Sequence, residues 1–314
     1  MLKEVSFTPQ VFSRDVIGDF LWRDVSRLLE LLSDSGIIVG AQKSDWIKAV
    51  YAQIDSLDDK PKSKLLAALS LLKERNRLVS HPKLDYCQPA TEEEWLRVIE
   101  NIHAIRHLDT IYSSVGGSSK TKHIEELEDI NLYKEYGVSG STQLPTTGSV
   151  LKAVLLPFLS YARKLTIIDP YFHLDQERYQ ETLMLIAQSF RERRGKYQAG
   201  KIIINCKWDS NKEGFRLEDW RRFLAQLHLK QHHECTVNIW QPQKGSTKMH
   251  DRYIITDQAG LVSAAGLARD NNQNSEWSLK NYTELGKILA QYKSNSSPFV
   301  LKGVVDRHGI MLSN

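Results

Sequence analysis

The chain has 314 residues, of which 41% are hydrophobic and 25% charged, with a net charge of +4. That length allows two domains with separate cores, and the composition is typical of a globular protein. No segment approaches the roughly 20 apolar residues of a membrane-spanning helix, and the first residues lack the apolar core of a signal peptide. The sequence therefore predicts a cytoplasmic protein with no membrane span.

The charge is divided unevenly along the chain. Residues 1–150 contain 18 Lys and Arg against 22 Asp and Glu, a net charge of −4, whereas residues 151–314 contain 24 against 16, a net charge of +8. Because Lys and Arg neutralise phosphates, the basic half favours a polyanionic partner. A basic surface that serves only solubility is the alternative.

The first 115 residues have the apolar spacing of helices. Three segments show this spacing: residues 15–34, 44–54 and 62–78. Thr91 and Glu94 form a capping box, which predicts a fourth helix beginning there. We therefore expect a helical domain over residues 1–115, which would bind a protein partner or recognise a target.

The regular spacing of apolar residues is lost between the two halves of the chain. Residues 113–122 are small, polar and rich in Gly and Ser, and residues 137–148 are similar. We assign residues 116–148 to a linker region and residues 149–314 to the second domain.

Helix-like and strand-like segments alternate in the second domain. The predicted helices cover residues 150–162, 174–194 and 217–232. The predicted strands cover residues 164–168, 201–207, 235–240, 250–256 and 260–264. This order predicts an α/β sandwich with a mixed sheet, so the whole chain is expected to be α+β in class.

The three cysteines show no sign of a metal site or a disulfide framework. The spacings of Cys87, Cys206 and Cys235 match no zinc motif, and their number is odd. Cys206 and Cys235 lie in strand-like runs, so we expect buried structural thiols. The sequence predicts no metal and no cofactor.

The segment with the clearest chemistry surrounds His250. His250 and Arg252 are two residues apart in a predicted strand, so both are expected on one face. A guanidinium can hold a phosphate, and an imidazole can attack phosphorus or transfer a proton. Asp257 follows at the predicted strand end, where a carboxylate can orient neighbouring groups. An ion-pair cluster at a sheet edge is the alternative.

These residues resemble the phospholipase D superfamily signature, His-x-Lys-x4-Asp, with Arg252 in place of the lysine. Gly266 and the segment Asn274-Ser-Glu276 resemble downstream residues of single-motif bacterial nucleases of that family, in which the glutamate hydrogen-bonds the histidine. The resemblance covers residues 149–314 only. It implies four catalytic residues: His250, Arg252, Asp257 and Glu276.

The resemblance also implies a mechanism and a partner. In the family, one histidine becomes a transient phosphohistidine, a second histidine protonates the leaving group, and no metal is needed. The chain has one good copy of the motif, so the resemblance implies a homodimer with His250 of each subunit in one site. It further implies a nuclease, with DNA the favoured substrate by analogy. The pairing of such a domain with a helical one favours antiphage defence as the setting.

Three further residues are candidates for substrate binding. Lys248, two residues before His250, would contact phosphate or remain a solvated lysine. Asn274 belongs to the Asn-Ser-Glu segment. Asp169 ends a predicted strand, where it would border the site or cap the turn before Pro170.

Arginine in place of lysine opens a second interpretation, because it keeps the charge but changes the geometry. The His250-Asp-Arg252 and Asp169-Pro-Tyr171 segments also resemble the phospholipase D-like C-terminal domains of microtubule-interacting-and-transport proteins. Those domains bind lipid without hydrolysing it. The alternative function is therefore an inactive module that binds nucleic acid, phospholipid or a protein partner. It predicts that Arg252 packs against acidic side chains instead of facing an open cleft.

Overall fold

A computed structural model describes residues 2–41, 43–81, 89–138, 140–191, 200–208, 217–229, 233–245, 249–268, 270–293 and 297–312. The chain divides into two compact units, here called unit 1 and unit 2, at residues 139 and 140. This division falls within residues 116–148, which were predicted to be a linker but contain the strands Thr121–His123 and Thr142–Thr146 and the helix Leu132–Tyr136. No helix in the described ranges is long and apolar enough to cross a bilayer.

Unit 1 is an α/β unit built on a parallel sheet. Its elements are β1 (Lys3–Phe7), α1 (Arg14–Ile17), α2 (Trp22–Ser35), β2 (Gly36–Ala41), α3 (Lys43–Asp55), α4 (Asp59–Glu74), β3 (Leu78–His81), α5 (Glu92–Ile105), β4 (Thr110–Ser113), β5 (Thr121–His123) and α6 (Leu132–Tyr136). The strands form one sheet in the order β3-β2-β1-β4-β5, and every neighbouring pair is parallel. The prediction of a helical domain was therefore wrong.

The strands of unit 1 were missed because they are short, and β2 in addition has no polar alternation. All six residues of β2 are buried, and so are four of the five residues of β1. A parallel strand is usually covered on both faces, so its sequence is a continuous apolar run that periodicity cannot distinguish from a helix. The capping box was confirmed: Thr91 Oγ1 accepts from Glu94 N at 3.3 Å, and Glu94 Oε2 accepts from Thr91 N at 3.4 Å.

Unit 2 contains a nine-stranded mixed sheet. Its elements are β6 (Thr142–Thr146), α7 (Gly148–Leu159), β7 (Lys164–Ile168), α8 (Glu177–Arg191), β8 (Gly200–Lys207), α9 (Leu217–Gln226), β9 (His233–Pro242), β10 (Tyr253–Thr256), β11 (Gly260–Ser263), β12 (Asp270–Lys280), α10 (Tyr282–Ala290), β13 (Phe299–Asp306) and β14 (Ile310–Leu312). The strand order is β14-β13-β9-β8-β7-β10-β11-β12-β6. The neighbours β7, β8 and β9 are parallel and the other pairs antiparallel, which confirms the predicted mixed α/β arrangement.

The centre of this sheet brings two segments of the predicted site together. Strands β7 and β10 are antiparallel, with Tyr253 opposite Ile168, so the end of β7 meets the start of β10. The observed strand begins three residues later than the predicted strand 250–256, so His250 and Arg252 both lie before β10. The prediction that they share one face of a strand was therefore wrong. Cys206 and Cys235 are buried, as predicted, and Cys87 lies outside the described residues.

Candidate functional site

Asp169 is the buried centre of the site, at the end of β7 and 1% exposed. Its Oδ1 accepts a hydrogen bond from Tyr171 N at 2.9 Å, and its Oδ2 accepts from Leu267 N at 3.5 Å. Burial raises the pKa of this carboxyl above its ordinary value, whereas the Tyr171 hydrogen bond and the charge of Arg252 oppose that rise. Asp169 therefore caps the turn after its strand and also borders the predicted site.

Arg252 is held in place on three sides. Its Nε lies 3.6 Å from Asp169 Oδ1, and its Nη1 donates to the carbonyl oxygen of Ala264. Its guanidinium carbon lies 4.9 Å from the ring centroid of Tyr171. Because the side chain is still 24% exposed, the guanidinium is both fixed by the protein and open to a ligand.

The loop after β11 carries the acceptor for Arg252 and is fixed by two serines. Ser263 Oγ donates to the carbonyl oxygen of Gly266 at 2.9 Å and lies 3.0 Å from Ser275 Oγ. Ser275 Oγ in turn accepts from Ala265 N at 3.0 Å. The middle residue of the predicted Asn-Ser-Glu segment therefore supports the loop that holds Arg252.

Gly266 is required where this loop passes Asp169 and Arg252. Its φ is +77°, in the left-handed region that L side chains rarely adopt. A Cβ atom there would lie 2.5 Å from Asp169 Oδ2 and 2.7 Å from Arg252 Cδ. A side chain at this position would displace the ion pair.

A pocket of about 370 Å³ opens beside Arg252. It is lined by Tyr171, Arg178, Tyr179, Arg252, Ala264, Ala265 and Ala268. The exposed Arg178 is at the start of α8, with its guanidinium carbon 5.1 Å from the Tyr179 ring and its Nε donating to Gln176 Oε1 at 3.0 Å. Two guanidiniums and two aromatic rings in one concave site fit an anionic group such as a phosphate.

His250 is accessible and almost free of polar partners. Its side chain is 74% exposed, and its Nδ1 lies 3.8 Å from Asp251 Oδ1. Within the described ranges no other hydrogen bond or ion pair to the imidazole was found. Asp251 is itself fixed, since its Oδ2 accepts from the Tyr253 hydroxyl at 2.9 Å. The imidazole can therefore meet a ligand from outside the chain.

Two other predicted catalytic residues lie apart from His250 within this chain. Asp257 Oδ1 accepts from Arg163 N at 2.9 Å and from Lys164 N at 3.4 Å, at the beginning of β7. It therefore lies at the opposite end of β10 from Arg252, roughly 16 Å along the strand. Glu276 is exposed on β12, with no hydrogen bond or ion pair to His250 in the described part of the chain.

The remaining candidates are less informative. Asn274 is exposed on β12, next to the buried Ser275, and Lys248 lies outside the described residues. The described ranges contain no cluster of three or more His, Cys, Asp or Glu side chains that could hold a metal ion.

Tyr171 belongs to the Asp169-Pro-Tyr171 segment noted in the sequence, whereas nothing in the sequence identified Arg178 and Tyr179 as pocket residues. Arg178 lies on α8, far along the chain from Arg252. Only the pairing of β7 with β10 brings the segment after β7 beside Arg252.

Comparisons with known proteins do not assign the chain to a family. No family model and no curated protein matches it. A solved structure of glucose-6-phosphate dehydrogenase in complex with its substrate glucose-6-phosphate aligns with 91% of this chain and 82% of that chain. The identity is 9% and the TM-score 0.17, too low to support any statement about fold or function.

Proposed function

We propose that the chain is a metal-independent phosphodiesterase of the phospholipase D type that cleaves nucleic acid. The observation that carries this proposal is the position of His250, an exposed imidazole two residues from Arg252. Arg252 lines a pocket that contains a second guanidinium, from Arg178. The net charge of +8 over residues 151–314 is a second, weaker support for a polyanionic substrate.

The proposed reaction proceeds in two steps at phosphorus. An imidazole nitrogen of His250 attacks the phosphodiester held by Arg252 and Arg178, and the bond from phosphorus to the leaving oxygen breaks. The leaving oxygen takes a proton from a second acid. Water then hydrolyses the phosphohistidine, giving its proton back to that group and releasing the phosphate monoester.

The second acid is proposed to be His250 of another copy of the chain. The sequence has one good copy of the motif, and Asp257 and Glu276 do not contact His250 within one chain. A two-fold arrangement would bring two exposed imidazoles to one phosphate. DNA as the substrate and defence against phage as the setting are proposed by analogy only.

The test is cleavage of single- and double-stranded DNA and RNA in the presence of EDTA. Wild type is compared with His250→Ala and with the control His228→Asn, a change at an exposed histidine whose φ of +46° suits asparagine. Cleavage that persists in EDTA, is lost in His250→Ala and remains in His228→Asn supports the proposal. The proposal is overturned if no substrate is cleaved, or if His250→Ala cleaves like wild type.

One observation favours a second candidate, a module that binds phosphate-containing ligands without turnover. Arg252 packs against the buried carboxylate of Asp169, as that alternative predicted, although it also faces the pocket. This candidate predicts binding of nucleic acid or phosphoinositide vesicles with no product formed. Arg178→Gln would then weaken binding, and His250→Ala would leave it unchanged.

A further inference from the structure

Unit 1 carries an aromatic and basic surface that none of the proposed chemistry uses. Phe20 is 66% exposed and Tyr133 is 59% exposed. We call this surface the aromatic–cation strip and define it as Phe20, Arg23, Arg27, Lys60 and Tyr133, together with Trp22, which is only 8% exposed and lies beneath the cations. A phenylalanine this exposed on a folded unit, with cations around it, suggests a surface for binding.

Each cation of the strip lies over an aromatic ring. The guanidinium carbon of Arg27 is 4.3 Å from the ring centroid of Tyr133. That of Arg23 is 5.5 Å from the ring centroids of both Phe20 and Trp22. Lys60 Nζ lies 5.9 Å from the Trp22 centroid. These distances are within the range of cation–π contacts, which orient the charged groups beside the exposed rings.

The helix α2 makes the strip continuous. Arg23 and Arg27 are four residues apart and therefore neighbours on one face of α2, while Val25, Leu28 and Leu29 are buried in the unit. Phe20 lies before α2, outside the apolar stripe that the helix buries, and is at the surface. The amphipathic helix thus buries its apolar stripe and presents the two arginines outward.

Among the described residues, no carboxylate pairs with the cations of the strip. In the described part of the chain, no ion pair or hydrogen bond involves the side chains of Arg23, Arg27 or Lys60. Some exposed cations of the same unit are paired, such as Arg14 with Asp58 at 3.5 Å, whereas others, such as Lys64, also have no ion pair in the described residues. Residues 1–150 have a net charge of −4, so three neighbouring cations without a carboxylate partner form a local basic area on an acidic unit. Asp24 and Glu30 lie on the same helix without pairing to them.

We propose that the aromatic–cation strip binds single-stranded nucleic acid. Unpaired guanidiniums neutralise phosphates, and exposed rings provide stacking surfaces for bases, the combination used by proteins that bind single strands. An acidic peptide would use the cations but would gain little from Phe20 and Tyr133. This proposal does not depend on unit 2 being a nuclease.

The experiment measures binding of a labelled single-stranded oligothymidine by fluorescence anisotropy. All proteins are the full chain carrying His250→Ala, which prevents the proposed cleavage. One strip variant combines Phe20→Ser with Tyr133→Ser, and the other combines Arg23→Gln with Arg27→Gln. The matched controls are Tyr282→Ser and Arg97→Gln, at exposed residues outside the strip.

Each strip variant is expected to raise the Kd roughly tenfold or more, since stacking of each base has a large effect on affinity. The arginine variant is also expected to reduce the slope of log K against log salt by about 1.4, for two phosphate contacts on a single strand. The controls should bind like the parent. Circular dichroism checks that every variant is folded.

Photo-cross-linking then identifies which unit binds the oligonucleotide. A bromouracil-containing oligonucleotide should cross-link to Phe20 or Tyr133 on irradiation, and mass spectrometry identifies the cross-linked residue. The proposal is overturned if both strip variants bind like the parent, or if cross-links occur only in unit 2. It is also overturned if polyglutamate competes fully and the ring variant binds normally, because the surface would then fit an acidic protein. Cleavage by unit 2 is measured separately, so the two proposals can fail independently.

Discussion

Asp169 and Arg252 form the structural link between two distant segments of unit 2, with 3.6 Å between Asp169 Oδ1 and Arg252 Nε. The carboxylate is 1% exposed, whereas the arginine side chain is 24% exposed. The buried anion therefore orients a cation whose outer side lines the pocket. The pair explains how Arg252 can be both a structural residue and a ligand-binding one.

Asp169→Asn is expected to lower the free energy of unfolding by about 2 kcal/mol. Asparagine keeps one oxygen for Tyr171 N but turns an NH2 group toward Leu267 N, and Arg252 loses its counter-charge. Urea denaturation measures the change. Glu234→Gln is the control, because its partner Lys201 and Glu234 itself are both exposed, and it should leave the stability nearly unchanged. Equal effects of the two substitutions would show that the Asp169 pair has no special role.

Gly266→Ala is expected to destabilise the chain by about 2 kcal/mol or more, through a strained φ and a steric clash together. Gly245→Ala is a matched control: its φ is +81°, yet no atom lies within 4 Å of the position of its Cβ. That control should cost only about 1 kcal/mol, the effect of backbone strain alone. The measurement is again urea denaturation. If Gly266→Ala were no worse than Gly245→Ala, the close approach to Asp169 and Arg252 would be unimportant.

Arg178→Gln tests the pocket without changing His250. We expect the Kd for DNA to rise roughly tenfold, because a charge-assisted contact to phosphate is lost. The slope of log K against log salt should fall by about 0.9 on duplex DNA. The control is Arg222→Gln, since Arg222 is 65% exposed and lies 3.6 Å from both Glu218 and Asp219. Unchanged binding in Arg178→Gln, measured by anisotropy over a range of salt, would exclude this pocket as the phosphate site.

Buried tyrosines predict that stability falls at alkaline pH. Burial raises the pKa of Tyr112 and Tyr136 above the ordinary value of 10.0, and their hydroxyls lie 2.7 Å apart. Burial also raises the pKa of Tyr179 to about 12. Above about pH 10 the unfolded chain loses these protons first, so the free energy of unfolding decreases as pH rises.

Urea midpoints between about pH 9 and pH 11 measure this decrease, and absorbance near 295 nm follows tyrosinate formation. The double variant Tyr112→Phe, Tyr136→Phe should show a weaker dependence on pH than wild type. If all the tyrosines of the folded chain ionised near their ordinary pKa, the hydroxyls of Tyr112, Tyr136 and Tyr179 could not be buried.

Local patterns predicted several elements well. The predicted strand 164–168 has the observed bounds of β7, and the capping box at Thr91 was found as predicted. Both signals depend on neighbouring residues: a short apolar run closed by Asp169-Pro170, and a reciprocal pair of side-chain and backbone hydrogen bonds. Local patterns did not predict the strands of unit 1, because pairing in a parallel sheet depends on residues that are distant in the chain.

Spacing over a few residues was enough to predict most of the helices and five of the nine described strands of unit 2, but not α6, α10, β13 or β14. The tertiary structure places Asp169, Arg178 and Gly266 around Arg252, and places Asp257 at the far end of β10. It also decided that Phe20 is exposed. These relationships depend on strand pairing and helix packing between segments far apart in the chain, which periodicity cannot specify.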